Sequence, residues 1–198
     1  MEVVADCRKL FEERTTFAPY FALIQSSGSG KTTLMHLLMK QYPNSWYINF
    51  SKSTYFHTLP TEGKKHQSTD FKQAITSSCK LTNEEEAITS IHNELLQYFP
   101  TDTVSNSCIR ILCIDEAREL CNMKAKYKNE DRTAFELFRK AISQFNAKIV
   151  VILADTVSVI GNFVPPPYKY TPHLRSADLN PTDLFQAMYY IPFVNAQR

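Results

Sequence analysis

Apolar residues along this chain fall into short compact runs that alternate with segments of helical spacing. A compact apolar run is typical of a buried strand, and apolar residues three and four apart are typical of a helix. The compact runs predict strands at residues 20–24, 46–50, 108–114, 148–154 and 188–194. The spaced segments predict helices at residues 5–14, 31–41 and 131–145, and another that follows a start signal at 82–85 and ends near 99. The polar stretch 51–70 is predicted to form a loop.

The order of these elements predicts the fold class. Strands alternate with helices, and the central strands are apolar on both faces, which is typical of a parallel sheet covered on each side by helices. We therefore expect an α/β fold with three layers and a mainly parallel central sheet of about five strands. Residues 1–16 are expected to form an N-terminal helical extension, and residues 17–198 the core.

Two of the four glycines in the chain lie in one stretch, QSSGSGKTT, between the first predicted strand and the helix 31–41. Glycines let successive backbone N–H groups point at an anion, and a helix N-terminus adds donors and a favourable dipole. This context matches the phosphate-binding loop G-x-x-x-x-G-K-[ST], in which the lysine reaches the β- and γ-phosphates and the hydroxyl binds Mg²⁺. The residues expected to bind the phosphates of ATP or GTP are Ser27, Gly28, Ser29, Gly30, Lys31, Thr32 and Thr33.

Two features of this loop leave alternatives open. A glycine–serine turn can also do no more than cap a structural helix. Position 25, where the loop pattern expects glycine, is a glutamine. A side chain there either changes how the chain enters the loop or sits at a negative φ, where it costs little.

Two carboxylates, Asp115 and Glu116, follow the predicted strand 108–114 directly. A phosphate-loop NTPase needs a carboxylate near Mg²⁺ at the end of a neighbouring strand, so we expect Asp115 to bind the metal together with Thr32. Glu116 is then placed to accept a proton from the attacking water. The alternative is a strand that leads into a charged surface turn.

An acidic residue directly after the metal-binding aspartate resembles the additional-strand, catalytic-glutamate division of NTPases, in which water is the nucleophile. That resemblance implies that a polar residue at the end of the strand 148–154 contacts the γ-phosphate or the water. Thr156 is our choice for this residue, with Asp155 and Ser158 as rivals. Arg175 is the candidate for an arginine that acts on the transition state.

Four segments together, FALIQSSGSGKT, WYINFSKST, ILCIDEAREL and VVILADTVSVIGNF, resemble the P-loop NTPase module of Crinkler-type effectors and related fungal and oomycete proteins. The form I-Q-S-S-G-x-G-K and the N-F after the fourth strand are its more specific marks. The resemblance spans about residues 17–195 and implies Mg²⁺-dependent hydrolysis of ATP or GTP in a switch or effector module. In that family the module is often joined to a nuclease-like domain, and some members act inside host nuclei.

The chain departs from the longer members of that family. It ends at Arg198 without room for a nuclease domain or a full helical lid, so we expect either a fragment or a truncated NTPase. The D/E-x-K element at residues 62–64 lies in a polar loop and has no upstream acidic partner, and nuclease activity is therefore not expected.

Composition narrows the compartment and the partners. The chain is 43% hydrophobic and 21% charged, which is ordinary for a soluble globular protein. The net charge of +2 gives no case for nucleic acid or an acidic membrane as an obligatory partner, and no apolar run is long enough to span a membrane. Lysines 64, 65, 124, 126 and 128 are expected in solvated loops. Five cysteines without a CxxC pair favour a reduced interior, in the cytoplasm, the nucleus or, for a secreted effector, a host cell. The histidines have no metal-ligand spacing, so zinc is not expected.

Three functions follow from these patterns. The first is a Mg²⁺-dependent ATP or GTP hydrolase that serves a partner as a switch. The second is an effector that binds nucleotide without hydrolysis, or has lost binding, and acts through host proteins or nucleic acid. The third, a phosphotransferase to a small acceptor, is disfavoured by Glu116, because small-molecule kinases usually lack an acidic residue directly after the metal-binding aspartate.

Overall fold

A computed structural model describes residues 2–13, 16–42, 45–50, 68–99, 109–127, 130–145 and 148–156. The elements alternate between helices and strands over most of this length. In chain order they are α1 (Glu2–Glu12), β1 (Tyr20–Ile24), α2 (Lys31–Gln41), β2 (Trp46–Asn49), α3 (Ser68–Ser78), α4 (Glu84–Tyr98), β3 (Arg110–Asp115), α5 (Arg118–Asn122), β4 (Lys124–Tyr127), β5 (Glu130–Thr133), α6 (Ala134–Ser143) and β6 (Ile149–Asp155).

Four of the strands form one parallel sheet in the order β1-β6-β3-β2. The prediction of an α/β fold with a mainly parallel sheet is therefore confirmed. Strand β6 is the last of the four in the sequence, yet it lies between β1 and β3. Because all four strands run the same way, their carboxyl ends meet at one edge of the sheet, where open α/β sheets bind their ligands. The strand predicted at 188–194 lies outside the described residues.

Helices cover both faces of this sheet. Alternate strand residues such as Ala22, Leu112 and Val151 belong to a buried cluster with α3, α4, α5 and α6. Their neighbours, such as Leu23 and Cys113, belong to a second cluster with α1 and α2. Strand β6 is buried at every position, which explains why its sequence is apolar throughout.

Several predicted boundaries were wrong. Residues 68–70 were predicted to be loop but begin α3, and α1 begins at Glu2 rather than at residue 5. Helix α6 begins at Ala134 rather than at 131, because residues 131–133 pair with β4 in an antiparallel hairpin. Lys124 and Lys126 lie on β4 of that hairpin, not in a loop, although their side chains are exposed as expected. In the described part of the chain, no helix is both long and apolar enough to cross a membrane.

The start of α6 is fixed by a reciprocal pair of hydrogen bonds between Thr133 and Glu136. The backbone N–H of Glu136 donates to Thr133 Oγ1 at 3.2 Å, and the backbone N–H of Thr133 donates to Glu136 Oε2 at 2.7 Å. We expect Thr133→Ala to lower the free energy of unfolding by about 1 kcal/mol, measured by urea denaturation. Thr89→Ala, at an exposed position inside α4, is the matched control and should change stability little. Equal stability of the two variants would contradict the prediction.

Candidate functional site

The glycine-rich turn between β1 and α2 depends on backbone conformations that favour glycine. Gly28 has a φ of 78° and Gly30 a φ of 88°, both in the left-handed region. A Cβ atom at either position would meet nothing within 4 Å, so the turn requires glycine for its backbone rather than for space. Ser27 and both glycines are exposed, which leaves the loop open to solvent.

The amino end of α2 presents backbone donors at the same place. The first bond at this end runs from the N–H of Leu34 to the carbonyl of Gly30, at 2.8 Å. The N–H groups of Gly30, Lys31, Thr32 and Thr33 precede it and have no partner inside the helix. Gly30 supplies no side-chain cap. The helix therefore directs its positive dipole end and its unpaired donors into the loop.

Lys31 is the first residue of α2, and its side chain is buried with only 6% exposed. Its ammonium donates to the carbonyl oxygens of Gln25 at 2.6 Å and Ser26 at 2.9 Å, and reaches Ser29 Oγ at 3.5 Å. It forms no ion pair with any residue that the structure describes. A buried charge is costly unless it is paired, so this ammonium is set up to meet an anion.

Gln25 replaces the first glycine of the loop pattern at little conformational cost. Among the described residues, Glu116 alone combines a side chain with a positive φ, so Gln25 is outside the left-handed region. Its N–H donates to the carbonyl of Asp155 at 3.3 Å, which joins the start of the loop to the end of β6. Of the two alternatives predicted for this position, the one without strain is therefore correct.

Asp115 ends β3 and is held by three donors. The hydroxyls of Thr32 and Tyr47 donate to its Oδ2 at 3.1 and 2.7 Å, and the N–H of Glu116 donates to its Oδ1 at 3.0 Å. The structure thus brings together Thr32 and Asp115, the two residues predicted as metal ligands, across 83 positions of sequence.

Tyr47 was missed by the sequence analysis. It lies on β2, is 7% exposed, and packs edge-on against the ring of His36 at 5.2 Å. Burial, followed by the hydrogen bond to Asp115, raises the pKa of Tyr47, so the phenol stays protonated and continues to donate. The available signal in the sequence was a tyrosine hydroxyl on the buried face of a strand. Only the pairing of β2 with β3, which places Tyr47 beside Cys113, two residues before Asp115, shows that this hydroxyl reaches Asp115.

Glu116 follows Asp115 in a turn with a φ of 53°. Its carboxylate forms an ion pair with the guanidinium of Arg118, another residue that the sequence analysis did not single out. Partial desolvation acts to lower the pKa of Arg118, but the carboxylates of Asp155 and Glu116 outweigh it and raise that pKa. The predicted general base is therefore occupied by a cation in this structure.

Two of the residues predicted to contact the γ-phosphate or the attacking water, Asp155 and Thr156, have different surroundings at the end of β6. Asp155 is 1% exposed, and its carboxylate accepts the backbone N–H groups of Arg118 at 2.7 Å and Thr156 at 2.6 Å. Such bonds give Asp155 a structural task, because they tie the turn after β3 to the end of β6. Thr156 is partly exposed and directly follows the strand beside Gln25. Ser158 and Arg175 lie outside the described residues.

This edge of the sheet therefore combines a buried cation, a helix N-terminus and a hydroxyl–carboxylate pair. Such a set can hold a polyanion together with a small divalent cation. The described residues contain no group of three or more histidine, cysteine or acidic side chains that could hold a metal ion. A cation held here would take most of its ligands from water and from the polyanion, as Mg²⁺ does in phosphate sites.

Comparison with known proteins shows a match to a family of unknown function. No curated protein matches the chain, and no solved structure matches it. One family, described as a domain of unknown function (DUF8735), matches residues 66–191, which is more than half of the chain. The matched region includes Asp115 and Glu116 but begins after the glycine-rich loop. The chain belongs to this family of unknown function, DUF8735.

Proposed function

We propose that this chain binds a nucleoside triphosphate with Mg²⁺ and hydrolyses it, with ATP as the first candidate and GTP as the second. The observation that carries the proposal is the ammonium of Lys31, which is buried in a left-handed glycine turn at the N-terminus of α2 without an ionic partner among the described residues. A phosphate group in the loop would supply the missing negative charge and accept the N–H groups at the start of the helix.

The strand order supports a P-loop NTPase of the additional-strand division. Strand β6 lies between β1, which leads to the loop, and β3, which leads to the two acids. A strand inserted between these two is the feature for which the additional-strand division is named. The proposal includes a five-stranded sheet, of which four strands are described.

In this proposal each residue has one task. Lys31 and the N–H groups of residues 27–33 hold the phosphates, and Thr32 and Asp115 hold Mg²⁺, which neutralises charge on the β- and γ-phosphates when bound. Glu116 accepts a proton from a water whose oxygen attacks the γ-phosphorus while the bond to the β–γ bridging oxygen breaks. Thr156 contacts the γ-phosphate or that water.

A second candidate is a module that binds nucleotide without hydrolysing it and acts through a host protein or nucleic acid. One observation favours it, which is the ion pair between Glu116 and Arg118. A carboxylate held by a guanidinium must leave that partner before it can take a proton from water. If this ion pair persists when nucleotide is bound, the chain binds the nucleotide but does not hydrolyse it.

Nucleotide binding and phosphate release by the wild-type protein test both candidates. Isothermal titration calorimetry measures nucleotide binding, and a phosphate-release assay measures hydrolysis. We expect ATP to bind with Mg²⁺ and tripolyphosphate to compete, because the loop contacts phosphate alone. Slow phosphate release supports the hydrolase, and binding without release supports the second candidate. No binding of ATP, GTP or tripolyphosphate would refute both.

A further inference from the structure

Three hydrogen-bond donors fix the orientation of the Asp115 carboxylate. A carboxylate oxygen accepts about two hydrogen bonds, and Oδ2 already accepts two, from Tyr47 and Thr32. Oδ1 accepts one, from the N–H of Glu116. Within the described residues, one acceptor position on Oδ1 therefore remains, and its direction is set by the donors that fix the carboxylate.

Of the three donors, Tyr47 is the one that lies outside both the glycine-rich loop and the turn after β3, although its hydroxyl also interacts with Thr32. Thr32 belongs to the phosphate-binding loop and is expected to engage Mg²⁺, and the N–H of Glu116 belongs to the same turn as the acid it binds. Tyr47 comes from a different strand, is buried, and is held by the ring of His36. It can therefore hold the carboxylate in one orientation before any ligand arrives.

We propose that Tyr47 is a positioning residue that donates to Oδ2 of Asp115 and holds this carboxylate in the orientation in which it serves Mg²⁺. This inference rests on the proposed function. It adds that Tyr47 determines how strongly nucleotide binding depends on Mg²⁺.

Tyr47→Phe removes the hydroxyl and keeps the ring that packs on His36. We expect the variant to bind ATP in EDTA as the wild type does, within about twofold, because the loop and Lys31 are unchanged. The Mg²⁺ concentration that gives half of the metal-dependent gain in ATP affinity should rise about tenfold. The signal of Mn²⁺ in electron paramagnetic resonance, with a non-hydrolysable ATP analogue, gives a second readout that does not require turnover.

Tyr127→Phe is the matched control. Tyr127 is also buried, and its hydroxyl donates to the carbonyl of Ser78 at 3.4 Å on the opposite face of the sheet. The control loses a buried tyrosine hydrogen bond as well, and it should leave the Mg²⁺ dependence as it is in the wild type. In an Asp115→Asn background, Tyr47→Phe should produce no further shift in Mg²⁺ dependence, because its effect passes through that carboxylate.

Each other result has a distinct meaning. An unchanged Mg²⁺ dependence in Tyr47→Phe would overturn the inference and leave the proposed function intact. So would an equal loss of affinity in EDTA and in Mg²⁺, since that is the signature of a general structural effect. A wild-type protein that binds no nucleotide would overturn the proposed function and the inference together. Thermal unfolding of each variant verifies that it is folded.

Discussion

Lys31→Ala is expected to weaken ATP binding by about 10- to 100-fold while leaving the nucleotide-free protein as stable as the wild type, or more so. The affinity falls because a charge-assisted bond to phosphate contributes about 1.5–3 kcal/mol, and each 1.4 kcal/mol is about tenfold in affinity. Stability does not fall in parallel, since among the described residues the buried ammonium has only neutral partners, and its removal also removes the cost of burying a charge.

The change in ATP affinity and the change in stability together distinguish a residue that binds phosphate from one that only supports the fold. Lys40→Ala, on the exposed side of the last turn of α2, is the matched control and should change neither affinity nor stability by much. Isothermal titration with ATP gives the affinity, and urea denaturation without nucleotide gives the stability. If Lys31→Ala bound ATP as tightly as Lys40→Ala does, the prediction that Lys31 binds the phosphates would be wrong. A large loss of stability would mean that Lys31 chiefly holds the loop together.

The part of the fold nearest the loop could be predicted from the sequence because its signals are local. Strand β1 is one compact apolar run, and α2 begins directly after Gly30 and ends just before a proline. Helix α4 begins after Asn83, whose side chain accepts the N–H of Glu85 at 2.9 Å, as the start signal at 82–85 indicated. In each case the residues that define the boundary are neighbours in the sequence.

Elements with weak or mixed patterns were not predictable in the same way. Helix α3 has few apolar residues, chiefly Phe71 and Ile75 one turn apart. Helix α5 and β4 are each too short to show a period. The late start of α6 had a usable signal, because TAFE at 133–136 fits the capping-box pattern, but the residues before it looked helical by spacing alone.

The candidate site was predictable in its chemistry and not in its contacts. Lys31, Thr32, Asp115 and Glu116 come from motifs that can be read along the chain. The place of β6 between β1 and β3 is a matter of sheet order, which no local pattern encodes. The hydrogen bond of Tyr47 to Asp115 joins residues 68 positions apart, and the pairing of Glu116 with Arg118 depends on a turn of positive φ.

Glu116→Gln is expected to keep ATP affinity close to that of the wild type and to slow hydrolysis by about 10²–10⁴-fold. Glutamine has the size of glutamate but cannot accept the proton of the attacking water, and general-base catalysis is worth about that factor. Binding persists because the phosphates contact Lys31 and the loop, while the N–H of residue 116 still donates to Asp115. Phosphate release under single-turnover conditions, beside calorimetric titration, measures the two quantities separately.

Glu86→Gln is the matched control, because Glu86 is an exposed acid on α4, which packs on the face of the sheet opposite α2, and it should leave both quantities unchanged. Hydrolysis by Glu116→Gln at the wild-type rate would rule out Glu116 as the base. The ion pair with Arg118 adds a condition on the wild type itself: turnover requires the Glu116 carboxylate to leave that guanidinium once nucleotide is bound. A wild-type protein that binds ATP and releases no phosphate would mean that this pair stays closed, and the chain would then be a nucleotide-binding module rather than a hydrolase.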